Sequence, residues 1–530
     1  MVLKCEMNLS KLKILVFLVI LLSFTVKAQN LNIQINNDVS FAYENEIYNN
    51  QENFHTAIKP YNNSEIKNYW KTKNRFKTDK SKKLLFFGDT THFIEIKPIF
   101  DLGVTSDLNN YGYYNYSFGV NIVSQITHNL SLDVKIGQNR TQIPTIHKNR
   151  GLDFSFLPHY GKRLDGSDYI DYSYLRGYIS YSPGDYFNFQ FGHDKNFFGD
   201  GYRSLLLSDN SDAYWFLKGS VNIWKVKYTI LYSGFQDIDS EYDSFYYPST
   251  NTFLHNKYST SHFLSWNIGK RFNFNLFETV IWRGEDSLGT RGFDVNYVNP
   301  IVFYRPIEFS LGSPDNVLMG GGFKIKIAKS NHLYGQFILD EFKLSEIKAR
   351  DGWWGNKYGF QIGFKTYNLF NVKNLYFLAE YNRVRPFTYS HRSSLENWGN
   401  TYQAMAHPLG ANFTEEVFIL KYPHKRFLFK LKTVFSKHGV NYPSPSSNNI
   451  NNGGDIYVSY LDRVNEYGNT QNQGNLREFI YIDLSMSYLI VPDWNLYFTA
   501  NFTGAESYND KDYMIHFGFK TFLYNDDIDF

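Results

Sequence analysis

Residues 130–137 read Leu-Ser-Leu-Asp-Val-Lys-Ile-Gly. Leu130, Leu132, Val134 and Ile136 alternate with Ser131, Asp133, Lys135 and Gly137, so one face is oily and the other polar or charged. A period of two is the signature of a β-strand whose faces meet different solvents. The pattern recurs. Phe187, Phe189 and Phe191 alternate with Asn188, Gln190 and Gly192; Trp494, Leu496, Phe498, Ala500 and Phe502 with Asn495, Tyr497, Thr499 and Asn501; and Ile515, Phe517 and Phe519 with His516, Gly518 and Lys520.

Working outward from these runs gives eighteen strands, near 92–103, 112–126, 130–140, 173–182, 186–195, 213–222, 225–236, 257–268, 271–283, 316–328, 332–343, 356–367, 373–386, 413–422, 426–437, 476–490, 494–505 and 512–523. Alternation by itself would also suit a sandwich or a propeller; the connections decide between them. Every second connection is short, as at Thr127-His128-Asn129, Pro183-Gly184-Asp185, Ile223-Trp224, Gly269-Lys270 and Pro423-His424-Lys425. The intervening ones are mostly long and polar, as at 141–172, 284–315 and 438–475. Short turns on one side and long loops on the other are the layout of an outer-membrane barrel. The expected fold is all-β: a transmembrane antiparallel β-barrel of about 18 strands, with periplasmic turns, extracellular loops and both termini periplasmic.

Composition agrees. The chain has 48 Phe, 43 Tyr and 9 Trp in 530 residues, and its mean hydropathy is −0.41. A barrel needs rings for its outer band and girdles, while the inward half of each strand stays polar. The net charge of +3 resides in Met1–Ala28, and the other 50 basic and 50 acidic residues cancel. Without a basic excess on the functional chain, nucleic acid is not an expected partner.

Residues 1–28 read as a signal peptide: lysines, then the apolar run Ile14–Val26, then Val26 and Ala28 in the small positions before a cleavage point. Cys5 lies ahead of that run, so the mature chain is expected to hold no cysteine, disulfide or thiolate metal site. Residues 29–91 are Asn-rich and charged and are expected to be a polar N-terminal segment: the first half pairs as short strands or packs as a periplasmic or lumen-plugging piece, and the second, with the basic run from Lys71 to Lys83, is a solvated or disordered stretch; 92–530 is the barrel. The stretch 438–475, with PSPSSNNINNGG and NTQNQG, is low in complexity and expected to be flexible. Phe530, seven residues past the last alternating run, suits recognition by the barrel-assembly machinery.

Asp133, Lys135, Arg176, Lys324, Lys326, Glu380, Lys430, Lys432 and Asp483 fall on inward positions. Both signs are present, which predicts ion pairing across the lumen. There is no HExxH and no GxSxG, so no catalytic residue, metal or cofactor is expected and the chain is read as non-enzymatic. The candidate ligand-binding residues are loop rings beside carboxylates and amides: Tyr202, Arg203 and Asp209 in GDGYRSLLLSDN, Trp353 and Trp354 in DGWWGN, and Trp398 in ENWGN. Flat rings stack on the apolar faces of sugars while carboxylates and amides take their hydroxyls, so these residues are candidate glycan contacts. Packing over the barrel mouth is the alternative for each.

FGHDKNFFGDGYRSLLLSDNSDAYWFLK at Phe191–Lys218, FDVNYVNPIVFY at Phe293–Tyr304 and YQAMAHPLGANF at Tyr402–Phe413 resemble the Wzi-type capsule-assembly outer-membrane barrels. HTAIKPY at His55–Tyr61 is similar to the Bacteroidetes branch of that family, which includes gliding-associated, RemB-like proteins. The resemblance implies an eighteen-stranded barrel in the outer membrane of a Gram-negative bacterium, with loops at the cell surface. It implies one of two roles, capsule or exopolysaccharide attachment, or adhesion linked to gliding. Expected partners are outer-membrane lipid and either surface polysaccharide or the gliding machinery. The competing function is a porin-like channel for small polar solutes.

Overall fold

The computed structural model describes residues 30–50, 53–66, 85–89, 92–107, 112–142, 156–163, 169–238, 254–286, 289–299, 315–441, 450–507, 510–525 and 527–530. The proposed signal peptide and the whole basic run from Lys71 to Lys83 lie outside the described residues.

Eighteen antiparallel strands close into a barrel. They are β1 (Phe93–Asp107), β2 (Gly112–Gln125), β3 (Leu130–Thr141), β4 (Ile170–Tyr181), β5 (Phe187–Asp194) and β6 (Tyr214–Ile223). Next come β7 (Val226–Ile238), β8 (Leu254–Ile268), β9 (Phe272–Arg283), β10 (Asn316–Lys326), β11 (Asn331–Glu341) and β12 (Lys357–Thr366). The wall is completed by β13 (Tyr376–Val384), β14 (Phe413–His424), β15 (Phe427–Val440), β16 (Asn475–Val491), β17 (Leu496–Ser507) and β18 (Asp510–Thr521). Neighbours in sequence are neighbours in the wall, and β18 pairs with β1 from Met514↔Asp107 to Lys520↔Asp101. The short strand Leu85–Gly88 pairs with β1 at Phe93–Ile96, on the edge that β18 leaves free. Each strand expected from the alternation is present, with ends shifted by a few residues.

The alternation becomes a wall with two solvents. Ile136, Phe189 and Leu484 are 52%, 45% and 54% exposed on the outside, whereas Lys135, Gln190 and Asp483 are at most 4% exposed inside. Apolar groups thus face the hydrocarbon, and the backbone bonds that hydrocarbon cannot satisfy are closed within the sheet. One sector differs. The segment Phe293–Val298 lies against the outer face of β7 to β9: Tyr232 donates to the Val298 carbonyl (3.0 Å), and the Trp282 and Tyr297 rings stand 4.9 Å apart.

The lumen is filled from both ends. At the short-turn end sit residues 30–50 and 53–66, including helix α1 (Asn37–Asn50). Asn36 starts the helix by accepting from the Asp38 and Val39 amides at 3.0 and 3.1 Å, an N-cap that satisfies two otherwise orphaned donors. Ser40, Phe41, Glu44, Ile47 and Tyr48 are buried at helical spacing. The sequence reading saw no helix here, because an Asn-rich segment with a glutamate on its buried face carries a weak apolar period. Asn30 reaches the turn at Asn129, Asn45 the turn at Asn374, and Asn49 the turn at Ser330, which fixes the segment to the short-turn rim.

At the long-loop end, residues 195–213 and 385–412 fold inward. Leu205, Leu206 and Leu207 are fully buried among Phe198, Phe263, Trp398 and Met405. Gly320 on β10 makes room for this packing, since a Cβ there would stand 2.6 Å from the Leu206 Cδ2. The segment Phe522–Phe530 does not stay at the wall's edge. It turns into the lumen, and Phe530 joins the Leu205–Leu207 cluster at 7% exposure. In the folded barrel the outward ring nearest the end of β18 is therefore Phe519, not Phe530.

Residues 450–475 differ from the expected flexible loop. Asn451, Ile456, Tyr457 and Asn469 are buried, and amides tie the segment down: Asn451 donates to the Ser459 carbonyl (2.8 Å) and Asn412 to the Gln473 carbonyl (2.8 Å). The Asn and Gln content that lowers complexity also supplies side chains that both donate and accept, which an irregular backbone requires. Residues 442–449 lie outside the described residues.

Candidate functional site

The inward charges pair with the plug more than across an open lumen. Lys421 and Lys430 converge on Asp38 of α1 at 2.7 and 3.1 Å. Lys227 meets Glu65 at 2.7 Å, and Lys324 approaches Asp200 at 3.9 Å. Within the wall, Lys135 pairs with Asp133 at 2.8 Å. Asp38 shows the balance: burial pushes its carboxyl up, and the two lysines outweigh that and hold it well below the usual carboxylate range.

Four of the six candidate ligand residues lie inside the barrel, and two of them, Tyr202 and Arg203, share partners. The Glu380 carboxylate on β13 accepts from the backbone amides of Tyr202 (2.8 Å) and Arg203 (3.1 Å), which fixes this bend of the 195–213 segment. Arg203 then spans two acids, Glu415 on β14 at 3.0 Å and Asp529 at 2.8 Å. Tyr202 donates to the other Asp529 oxygen at 2.6 Å, which also pairs with Lys432 at 2.7 Å. Asp209 accepts from Asn525 at 2.9 Å. Trp398 is 1% exposed; its indole N–H donates to the Leu206 carbonyl at 2.7 Å, and its ring faces Phe235 and Phe277.

Trp353 and Trp354 stand apart from these four, at the long-loop mouth. Both indoles donate to the same Glu466 oxygen, at 3.2 and 2.9 Å. Arg463 donates to the second Glu466 oxygen (3.0 Å) while its guanidinium lies 4.4 Å from the Trp354 ring centre. The Tyr460 ring packs 4.9 Å from Trp354. The hydrogen bond from Arg463, with those from the two indoles, holds the Glu466 carboxyl below its ordinary value. Glu466, Leu461, Val464 and Tyr467 are exposed around this group. Sequence reasoning missed Tyr460, Arg463 and Glu466 because it read their segment as flexible; the signal present was one basic, two acidic and two aromatic residues within eight positions.

Two cavities flank the Phe522–Phe530 segment. One, of about 350 Å³, is lined by Asp38, Lys421, Lys430, Lys432, Tyr202 and Asp527 among others. The other, of about 240 Å³ towards the long-loop end, is lined by Tyr402, Leu409, His438, Tyr457 and Phe530 among others. Among the described residues no group of three or more His, Cys, Asp or Glu is placed to hold a metal.

No sequence-family model matches the chain, and no curated protein matches it by sequence. Solved structures do match. Wzi of Escherichia coli, described as an outer membrane protein involved in group 1 capsule assembly and a carbohydrate-binding β-barrel, superposes with a TM-score of 0.56 at 12% identity, over 93% of this chain and 99% of that one. This chain has an outer-membrane barrel fold. Two Pseudomonas aeruginosa barrels match at lower TM-scores: OprD at 0.39 and 10% identity, over 84% of this chain and 97% of that one, and OpdK with vanillate at 0.44 and 6%, over 81% and 98%. At these identities the likeness is one of fold, and the residues of the site are argued from their own geometry.

Proposed function

We propose that the protein is a non-enzymatic outer-membrane barrel that presents its long loops at the cell surface and holds surface polysaccharide there. The setting is either capsule or exopolysaccharide attachment or adhesion linked to gliding. The observation that carries this reading is the division of labour along the barrel axis: the lumen is packed from both ends, while Trp353, Trp354, Tyr460, Arg463 and Glu466 stand together at the outer mouth. Rings beside a guanidinium and a carboxylate are what a sugar needs for stacking and for directed hydroxyl hydrogen bonds. The carbohydrate binding described for Wzi supports the same reading.

The test compares a deletion strain, wild type, and a strain carrying W353A/W354A for surface glycan retention and surface movement. Loss of either property on deletion, reproduced in part by the double substitution, is the expected result. Unchanged retention and unchanged movement on deletion would remove the proposal's support. The competing porin reading predicts a large steady conductance of the full chain in planar bilayers, whereas a packed lumen predicts none.

A further inference from the structure

The segment Phe522–Phe530 is held the way a ligand is held. Beyond the bond from the Phe522 amide to the Asn495 carbonyl (3.2 Å), its described residues make no strand pairing with the wall, and side chains of separate wall, loop and plug elements grip it instead. Arg176 of β4 lies 4.3 Å from the Tyr524 ring centre, and Asn36 donates to the Tyr524 carbonyl at 2.8 Å. His159 meets the Asp527 carbonyl at 3.2 Å. The strongest grip is on one carboxylate. Asp529 is fully buried and receives Arg203 on one oxygen, Tyr202 and Lys432 on the other, at 2.6–2.8 Å. Charge-assisted bonds from a guanidinium, an ammonium and a phenol on one carboxylate form a specific acceptor site for that group.

Two further observations make the site more than a structural tie. Both carboxylates with which Lys432 pairs, Asp527 at 2.6 Å and Asp529 at 2.7 Å, belong to this segment, so withdrawing it strips Lys432 of both. In addition, Tyr202 and Lys432 line the 350 Å³ cavity, whose walls run from Asn36 and Thr521 at the short-turn end to Arg140 and Gln142 at the long-loop end. Asp527 and Ile528 border that cavity, and Phe530 borders the outer one. The segment therefore stands between two hollows, and its acid groups neutralise the basic residues of the wall between them.

We propose that Tyr202, Arg203 and Lys432 form a binding site for small organic carboxylates on a latent path through the lumen, and that the chain's own Asp529 occupies the site and keeps the path shut. A sugar acid such as galacturonate offers the same carboxylate. Because the tethered segment is present at high effective concentration, a free carboxylate competes poorly until the segment is displaced or discharged.

The experiment uses the full chain, the D527N/D529N chain, and a chain lacking residues 522–530, each refolded and checked for the compact electrophoretic mobility of a closed barrel. Galacturonate binding is measured by calorimetry, and conductance in planar bilayers. The full chain is expected to be silent and to bind galacturonate at least about tenfold more weakly than D527N/D529N, the scale of one charge-assisted contact. The shortened chain is expected to conduct with a reversal potential favouring anions, and galacturonate to block it while uncharged galactose does not. A folded D527N/D529N chain whose galacturonate affinity is unchanged overturns the proposal, as does a folded shortened chain that stays silent or favours cations. A conducting full chain overturns this proposal together with the packed-lumen reading, whereas unchanged glycan retention and movement on deletion count against Proposed function alone and an unchanged D527N/D529N affinity against this proposal alone, so the two can fail separately.

Discussion

The two ends of the lumen are closed by different physics. At the long-loop end the plug is a desolvated apolar cluster: Leu205, Leu206, Leu207, Trp398 and Met405 have essentially no exposed surface. At the short-turn end the plug is rich in tyrosine and tied by charge, with Lys59–Glu44, Lys421–Asp38, Lys430–Asp38 and Lys227–Glu65 at 2.7–3.1 Å. Phe522–Phe530 reaches both, with acids among the lysines and Phe530 in the apolar cluster. The apolar end should leave its place only by unfolding. The charged end should answer to pH and to the loss of single charges while the wall persists.

Substitution in the apolar tier gives the largest expected effect. Trp398→Ala removes a buried ring and leaves a cavity, a change that costs about 3–5 kcal/mol; the expected outcome is a lower unfolding midpoint for the whole barrel in urea titration in detergent. Asp38→Asn is expected to cost about 2–3 kcal/mol, since it removes charged hydrogen bonds from Lys421 and Lys430. Its signature is a protease cut within residues 30–66 at an almost unchanged barrel melting temperature. A global unfolding shift as large as that of Trp398→Ala would erase the distinction between the two ends.

Acid gives a third, graded effect. Burial pushes the carboxyls of Glu44 and Asp200 up, but facing lysines outweigh it and leave both at about 2. With folded values below unfolded ones, their stabilisation is complete above about pH 4, the range of free carboxyls, and is lost as pH falls towards about 2. Protease access to residues 30–66 should rise in that window before near-ultraviolet dichroism of the apolar tier changes; simultaneous loss would contradict the comparison. The smallest effect is expected at the long-loop rim, where Lys437 and Glu478 pair with more than half of each side chain exposed. Lys437→Ala should shift stability by no more than about 0.5 kcal/mol by the same urea titration.

The wall was legible from the chain because each strand carries its own record of two solvents, as in Leu130–Gly137. The inward charges Asp133, Lys135, Glu380, Lys430 and Lys432 were legible for the same reason. Their partners were not. Asp38, Asp200 and Asp529 come from an Asn-rich helix, a glycine-rich loop and the stretch after the last strand, and no local period connects them to Lys430, Lys324 or Lys432. Tyr202, Arg203, Asp209 and Trp398 stood out as rings and charges in loops. The chain alone left open whether such groups face solvent or the lumen, since a loop's direction depends on what it packs against.

The sequence by itself determined a closed wall, its strand number, its oily outer face and its polar inner face, because a period of two is a local consequence of the pleat. Only the tertiary structure decided what fills that wall: that α1 enters from the short-turn end, that Leu205–Leu207 fold in from the other, and that Asp529 reaches Arg203 and Lys432. Those contacts join residues from about a hundred to nearly four hundred positions apart, and their energy comes from desolvation and charge pairing, which exist only once the barrel has closed around them.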